Sequence, residues 1–297
     1  MDEGNPPPSE PSGASIEPFR PRDRSIGSIL IASGRLKQED HQRIAKLQNE
    51  TGQQYGEIGK QLGVLKEADI VFALSKQFEY PYPLLQESAV SKELVAAYQP
   101  FSPQVEALRG IRSRLMLEWM GKSTQCRSLA VVSAQRKEGR SWFAANLAVL
   151  FSQLGERTLL IDADLRNPRQ HKIFGLSDRV GLSAVLAGLS GLDAIQHLPE
   201  FIDLSVLPAG VIPPNPQEIV SRVEFGMMLN RLASDFDVIL IDTPAMTKVA
   251  DAQMIAARAG SALYVAKRSK SRVSEIEKYC GLLHRASVSL AGSVLLD

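Results

Sequence analysis

Short apolar runs with no polar face punctuate the chain from residue 128 onwards. Residues 128–133 read Ser-Leu-Ala-Val-Val-Ser, 158–162 Thr-Leu-Leu-Ile-Asp, 237–242 Asp-Val-Ile-Leu-Ile-Asp and 261–268 Ser-Ala-Leu-Tyr-Val-Ala-Lys-Arg. Runs this short and without alternation predict strands covered on both faces, as a parallel sheet requires. Helical stretches lie between them: 142–154 opens directly behind the first strand and its loop, and 273–284 precedes a last strand at 292–296. Strands separated by helices predict an α/β fold, a doubly wound and mostly parallel sheet with helices on both faces.

Ahead of this region the pattern changes twice. Residues 25–77 hold an internal repeat in which Gly27 falls on Gly56, Gly34 on Gly63, Leu36 on Leu65 and Gln48 on Gln77, a constant offset of 29. Each copy reads as a short helix, a glycine break and a longer helix. Acids open the longer helices (Glu39 and Asp40; Glu67 and Asp69), which the positive end of a helix favours. The two copies are expected to pack on each other. Residues 1–22 scatter prolines among Ser, Gly and Glu and read as a disordered tail. Phe78-Glu-Tyr-Pro-Tyr-Pro83 breaks the helical pattern with an extended joint. The expected organisation is a tail at 1–22, a small helical tandem-repeat module at 23–86, and the sheet domain at 87–297.

Candidate chemistry gathers at the ends of the apolar runs. The loop 134–141, Ala-Gln-Arg-Lys-Glu-Gly-Arg-Ser, joins a strand to a helix N-terminus, where unpaired backbone N–H groups and the positive helix end converge. It matches the phosphate-loop pattern G-x-x-x-x-G-K-[ST] at Gly139 and Ser141. Ala134 replaces the first glycine, and Arg140, longer and forked, replaces the lysine. Asp162 and Asp164 follow the second run and Asp242 ends the third, at the strand ends where open α/β sheets bind ligands. Three such acids beside a phosphate loop predict a hard oxygen site for Mg2+. The plainer reading is that each aspartate caps the turn behind it.

The loop, Ile161-Asp-Ala-Asp-Leu-Arg-Asn-Pro168 and Ile241-Asp-Thr-Pro244 together resemble the cytoplasmic bacterial tyrosine kinases of capsule and exopolysaccharide systems. These are relatives of the deviant phosphate-loop ATPases that partition plasmids and place division sites. Gly181-Leu-Ser-Ala-Val-Leu-Ala-Gly188 and Leu207-Pro-Ala-Gly-Val-Ile-Pro-Pro-Asn-Pro-Gln-Glu218 look like the kinases rather than the ATPases. The resemblance covers about the last two hundred residues, one domain's size. It implies phosphoryl transfer from Mg-ATP to a tyrosine hydroxyl. Nucleotide contacts would come from Ala134, Gln135, Arg136, Lys137, Glu138, Gly139, Arg140, Ser141 and Trp142, with Arg268 on the nucleotide side. Ser141, Asp164 and Asp242 would hold Mg2+, Arg140 would balance developing charge, and Asp162 would accept the proton of the incoming hydroxyl.

Glu106, Arg109 and Arg112 recur every third residue, which by spacing alone is a charged helix face. They also resemble the family's subunit-contact motif, which implies a homo-oligomeric ring. Kinases of this kind work beside a membrane-anchored polysaccharide chain-length determinant. Their usual C-terminal tyrosine cluster is replaced here by Leu295-Leu-Asp297, and the tyrosines present are Tyr55, Tyr80, Tyr82, Tyr98, Tyr264 and Tyr279. The repeat module resembles the N-terminal module of type II secretion and pilus ATPases, some of which bind cyclic di-GMP. Ser25 and Gln54 stand where that pattern has arginine, and His41 where it has leucine. Residues 23–86 are thus a docking or structural module, or a cyclic di-GMP receptor.

Composition narrows the classes further. A net charge of +1 over 297 residues gives no footprint for nucleic acid. Two cysteines, Cys126 and Cys280, far apart, suit a reducing cytoplasm. With no apolar run of membrane-spanning length and no signal-peptide pattern, the expectation is a cytoplasmic protein, peripheral at the inner membrane through a partner. The four histidines show no metal-ligand spacing. Beside the kinase reading stand an ATP-binding but catalytically weak assembly scaffold, and a regulator responding to cyclic di-GMP through the repeats.

Overall fold

The computed structural model describes residues 25–77, 89–122, 128–247 and 249–297. The expected tail and the joint at 78–83 lie outside the described residues. The chain divides into two compact units, Met1–Tyr80 and Pro81–Asp297.

In the first unit, α1 (Ile26–Ala32) and α2 (Gln38–Thr51) form one copy of the repeat, and α3 (Tyr55–Gln61) and α4 (Glu67–Gln77) the other. The glycine breaks are needed for their backbone: Gly34 and Gly63 have φ of 70° and 69°, in the left-handed region that a Cβ disfavours. Helix α1 packs on α4 and α3 on α2, so each short helix meets the long helix of the opposite copy. Leu30, Leu36, Ile44, Ile58, Leu65 and Phe72 make the shared core, each burial stabilising by roughly 1.5–3 kcal/mol. His41 seats over Gly27 as its counterpart Ile70 seats over Gly56, and His41 Nδ1 lies 2.6 Å from the Tyr55 hydroxyl. Burial pushes that hydroxyl's pKa up to about 12, so it remains a neutral phenol at physiological pH.

The second unit is the sheet domain. Its strands are β1 (Ser128–Val132), β2 (Thr158–Asp162), β3 (Gln196–His197), β4 (Leu204–Leu207), β5 (Val238–Asp242), β6 (Ser261–Lys267) and β7 (Ser289–Leu296), in spatial order β3-β4-β2-β5-β1-β6-β7. Every pairing is parallel except β3 with β4. Its helices are α5 (Val95–Tyr98), α6 (Pro103–Glu118), α7 (Arg140–Ser152), α8 (Gln170–Phe174), α9 (Leu182–Leu186), α10 (Pro216–Ser221), α11 (Val223–Leu232), α12 (Asp251–Ala259) and α13 (Val273–Arg285).

Strands β1, β2 and β5 are buried at every position, which is why they carry no polar alternate. Their side chains feed two cores. Leu129 and Val131 face α6 and α7, whereas Ala130 and Val132 face the side of α11, α12 and α13. Helix α7 is buried almost all round, and its one interior amide is fully used. Asn146 Oδ1 accepts from Ala96 N, and its Nδ2 donates to the carbonyls of Glu93 and Trp142.

Two element starts differ from the sequence reading by more than one residue. Helix α7 starts at Arg140 rather than 142, because Gly139, at φ 95°, turns the chain directly into it. Strand β7 starts at Ser289 rather than 292, with a register shift opposite Ala262 and Leu263. Strands β3 and β4 carried too short a signal to stand out.

Candidate active site

The strand register brings the acids together. In the parallel pair β2/β5, Asp162 is the cross-strand partner of Asp242, so two aspartates stand at the same level on neighbouring strands, whose backbones lie about 4.8 Å apart. Both are fully buried. Burial raises the pKa of Asp162 well above the usual carboxylate range, with the Asp242 charge adding to it and backbone N–H groups opposing it. Burial likewise raises Asp242, opposed by the Arg140 charge, by the nearby Ser141 hydroxyl and by the hydrogen bond from Gln170. A buried like-charge pair of this kind is relieved by a proton or by a cation.

Each acid is placed by backbone donors or by Gln170. Asp162 Oδ2 accepts from Arg169 N and Gln170 N, both at 2.8 Å, and its Oδ1 has the longer 3.3 Å bond from Asp164 N. Asp164 Oδ1 accepts from Arg166 N and Asn167 N, holding the turn after β2. Gln170, which sequence reasoning passed over, ties the set together. Its Nε2 donates to Asp242 Oδ2 at 2.8 Å and to the Ser141 carbonyl at 3.1 Å. Only its place behind the Pro168 turn could have drawn attention to it.

Among the described residues, two buried acceptors here have no hydrogen-bond partner: Asp242 Oδ1 and Gln170 Oε1. Orphaned buried oxygens are rare and mark where an ion or water belongs. Like the Ser141 hydroxyl, they are oxygen donors of the hard kind that Mg2+ takes. Among the described residues no group of three His, Cys, Asp or Glu could hold a metal ion on its own, and the expected set of Ser141, Asp164 and Asp242 beside the phosphate loop does not rely on one. Mg2+ needs no such cage, since it keeps waters and takes one or two carboxylates together with phosphate oxygens.

A cleft of about 1090 Å³ opens beside this set. The phosphate loop from Arg136 to Trp142 lines it, with Asp164 from the turn after β2, Ala107 and Ile111 from α6, and Leu296 from β7. Ala134 and Gln135 do not line it, nor do Asp162 and Asp242, which are fully buried. Arg268 does not line it either. Its exposed guanidinium pairs at 2.8 Å with Asp297, which does line the cleft.

Arg140 lines the cleft, and its donors are turned to the base of the loop. Its Nε donates to the Thr243 carbonyl and its Nη1 to the Gln135 carbonyl, both at 2.8 Å, and Nη1 also meets the Ser133 hydroxyl. The guanidinium is therefore anchored to the base of the loop. Lys137, at φ 63°, occupies a left-handed conformation without being glycine.

The subunit-contact motif divides in the same way. Three residues advance about 300° on a helix, so the set spreads over about 120° of its circumference. Glu106 and Arg109 pair at 3.0 Å on the surface side, whereas Arg112 is buried and donates to the Leu150 carbonyl. The reading of all three as one exposed face is corrected accordingly.

The sheet order, the loop ahead of α7 and the acids at the ends of β2 and β5 define the class: a phosphate-loop ATPase fold. The MinD protein of Pyrococcus horikoshii, solved with Mg-ADP, superposes with a TM-score of 0.51 at 26% identity, over 57% of this chain and 70% of that one. Within that class, the chain belongs to the bacterial tyrosine-protein kinase family. The tyrosine-protein kinase YwqD of Bacillus subtilis is 34% identical over 208 residues, 70% of this chain and 87% of that protein. The kinase domain of the Escherichia coli tyrosine kinase ETK superposes with a TM-score of 0.65 at 30% identity, over 68% of this chain and 79% of that one. No protein-family model matches the chain.

Proposed function

We propose that the cleft binds Mg-ATP and that the chain phosphorylates protein tyrosine, its own or a partner's. The observation that carries this reading is the buried Asp162–Asp242 pair, with an unpartnered Asp242 oxygen, set against a phosphate loop at the head of α7. Backbone N–H groups from Arg136 to Ser141 would hold the phosphates, aided by the dipole of α7. Ser141, Asp164 and Asp242 would hold Mg2+ directly or through its waters, and the ion would neutralise charge on the transferring phosphoryl group. Asp162 would take the proton of the attacking hydroxyl once the cation has displaced the pair's own proton, and from its buried place it would do so through a water or a shift of the cleft wall.

No helix among the described residues is long and apolar enough to cross a membrane. The family resemblance supports action beside a membrane-anchored chain-length determinant in exopolysaccharide export, with α6 carrying the subunit contact through Glu106 and Arg109. Ser25 spends its hydroxyl capping α1, and Arg35 is engaged with Asp69 and lies over Phe72. These engagements favour the structural reading of the repeats over a dinucleotide receptor. One observation supports a weakly catalytic scaffold instead: the bonds that anchor the Arg140 guanidinium to the base of the loop.

Incubation of the purified chain with Mg-ATP, followed by mass-spectrometric mapping of phosphotyrosine, separates the two. A kinase yields modified tyrosine that Asp164→Asn abolishes. ATP binding with no modified tyrosine, with a membrane partner's tail present, leaves the scaffold.

A further inference from the structure

Among the described residues, three that are not glycine adopt left-handed φ: Lys137 at 63°, Ser269 at 59° and Ser287 at 58°. Two of them lie in segments that are tied to each other. Lys137 sits in the phosphate loop, and Ser269 in the turn between β6 and α13. Strained backbone of this sort persists only where its surroundings over-determine it.

Glu138 is what joins the two segments. Its carboxylate is fully buried. One oxygen accepts from Gln135 N at 2.6 Å, closing the neck of the loop around Lys137. The other accepts from the Ser271 hydroxyl, whose oxygen in turn accepts from Lys267 N at 2.8 Å. Two further ties run beside it: Gln135 Nε2 donates to Glu275 at 2.8 Å, and Lys270 Nζ to the Arg136 carbonyl at 2.6 Å. A buried carboxylate is costly unless its lone pairs are used, and here backbone and hydroxyl donors use them.

We propose that Glu138 and Ser271 are positioning residues that brace the phosphate loop against the turn after β6. They hold Lys137 in its left-handed conformation, so that the N–H groups at the head of α7 stay directed into the cleft. The proposal rests on the cleft being a nucleotide site. It also explains how the loop dispenses with a glycine at position 137: the brace supplies the rigidity, and the side chain's steric cost is borne by its bonds.

Amide hydrogen exchange of the full chain without nucleotide, paired with Mg-ADP titration, tests the brace. Glu138→Ala should speed exchange of the Gln135 amide, whose acceptor it removes, by about tenfold or more, the loss of one charge-assisted bond, while β1 and β5 stay protected and report an intact fold. Ser271→Ala should act in the same direction, and the double variant should exchange no faster than Glu138→Ala alone. Glu138→Gln, which can accept from Gln135 N and donate to Ser271, should restore most of the protection. Mg-ADP affinity should fall about tenfold in Glu138→Ala. Unchanged exchange in Glu138→Ala, or fully additive effects of the two alanine variants, overturns the brace. Faster exchange in Glu138→Ala in a wild-type background that binds no Mg-ADP supports the brace and overturns the nucleotide reading.

Discussion

At Arg140 the chain keeps the charge of a phosphate-loop lysine but changes its geometry. A guanidinium presents donors in a rigid planar fork, and here those donors meet Thr243, Gln135 and Ser133. Arg140→Lys is therefore expected to act in opposite directions on two measurements. It loses several buried bonds, so the unliganded protein should be less stable by about 2 kcal/mol in urea unfolding. Its ammonium, a compact point charge on a flexible stem, should bind Mg-ADP several-fold more tightly in calorimetry. The substitution at position 140 was visible in the sequence, but the direction of the side chain was not. Its acceptor at Thr243 lies 103 residues away, and no local pattern encodes that meeting. Gln170 escaped notice for the same reason, since its partners Ser141 and Asp242 come from two other elements.

Among the elements, the stretches around Gly181 and Gly210 show what a shared motif can mean physically. Their backbones run against each other: Leu182 N donates to the Pro208 carbonyl at 2.8 Å and Ser183 N to the Ala209 carbonyl at 2.9 Å. A Cβ at Gly181 would collide with the Pro208 carbonyl and with Gly210 N. Gly181→Ala is expected to destabilise by about 3 kcal/mol, read as a lower urea midpoint, because backbone atoms have no rotamer through which to yield. The sequence carried the motif, and the structure supplies its cause in close packing rather than in chemistry. Strands β1, β2, β5 and β6 were legible because their burial on both faces leaves unbroken apolar runs. The two-residue β3 and the Ser-containing β4 were not, since so short a run has no period to read. In α6, the regular spacing of three charges hid the fact that a helix turns Arg112 into the core.

For the molecule as a whole, the sequence indicates two units and an alternating α/β order, but not the order of strands across the sheet. Register and order arise from non-local pairing: β1 sits between β5 and β6, and β5 separates it from β2. That arrangement sets Asp162 beside Asp242 and leaves an unpartnered carboxylate oxygen next to the phosphate loop. Calorimetric titration of ADP with and without Mg2+ bears most directly on whether this is a Mg-nucleotide site. The buried pair binds its proton more tightly than an ordinary carboxylate, so a cation that replaces the proton releases it to solvent. The expected result is ADP binding strengthened at least tenfold by Mg2+, with proton release that grows as the pH is lowered toward the carboxylate range, and with both effects lost in Asp242→Asn. Equal ADP affinity with and without Mg2+, or a Mg2+ dependence that survives Asp242→Asn, would contradict it.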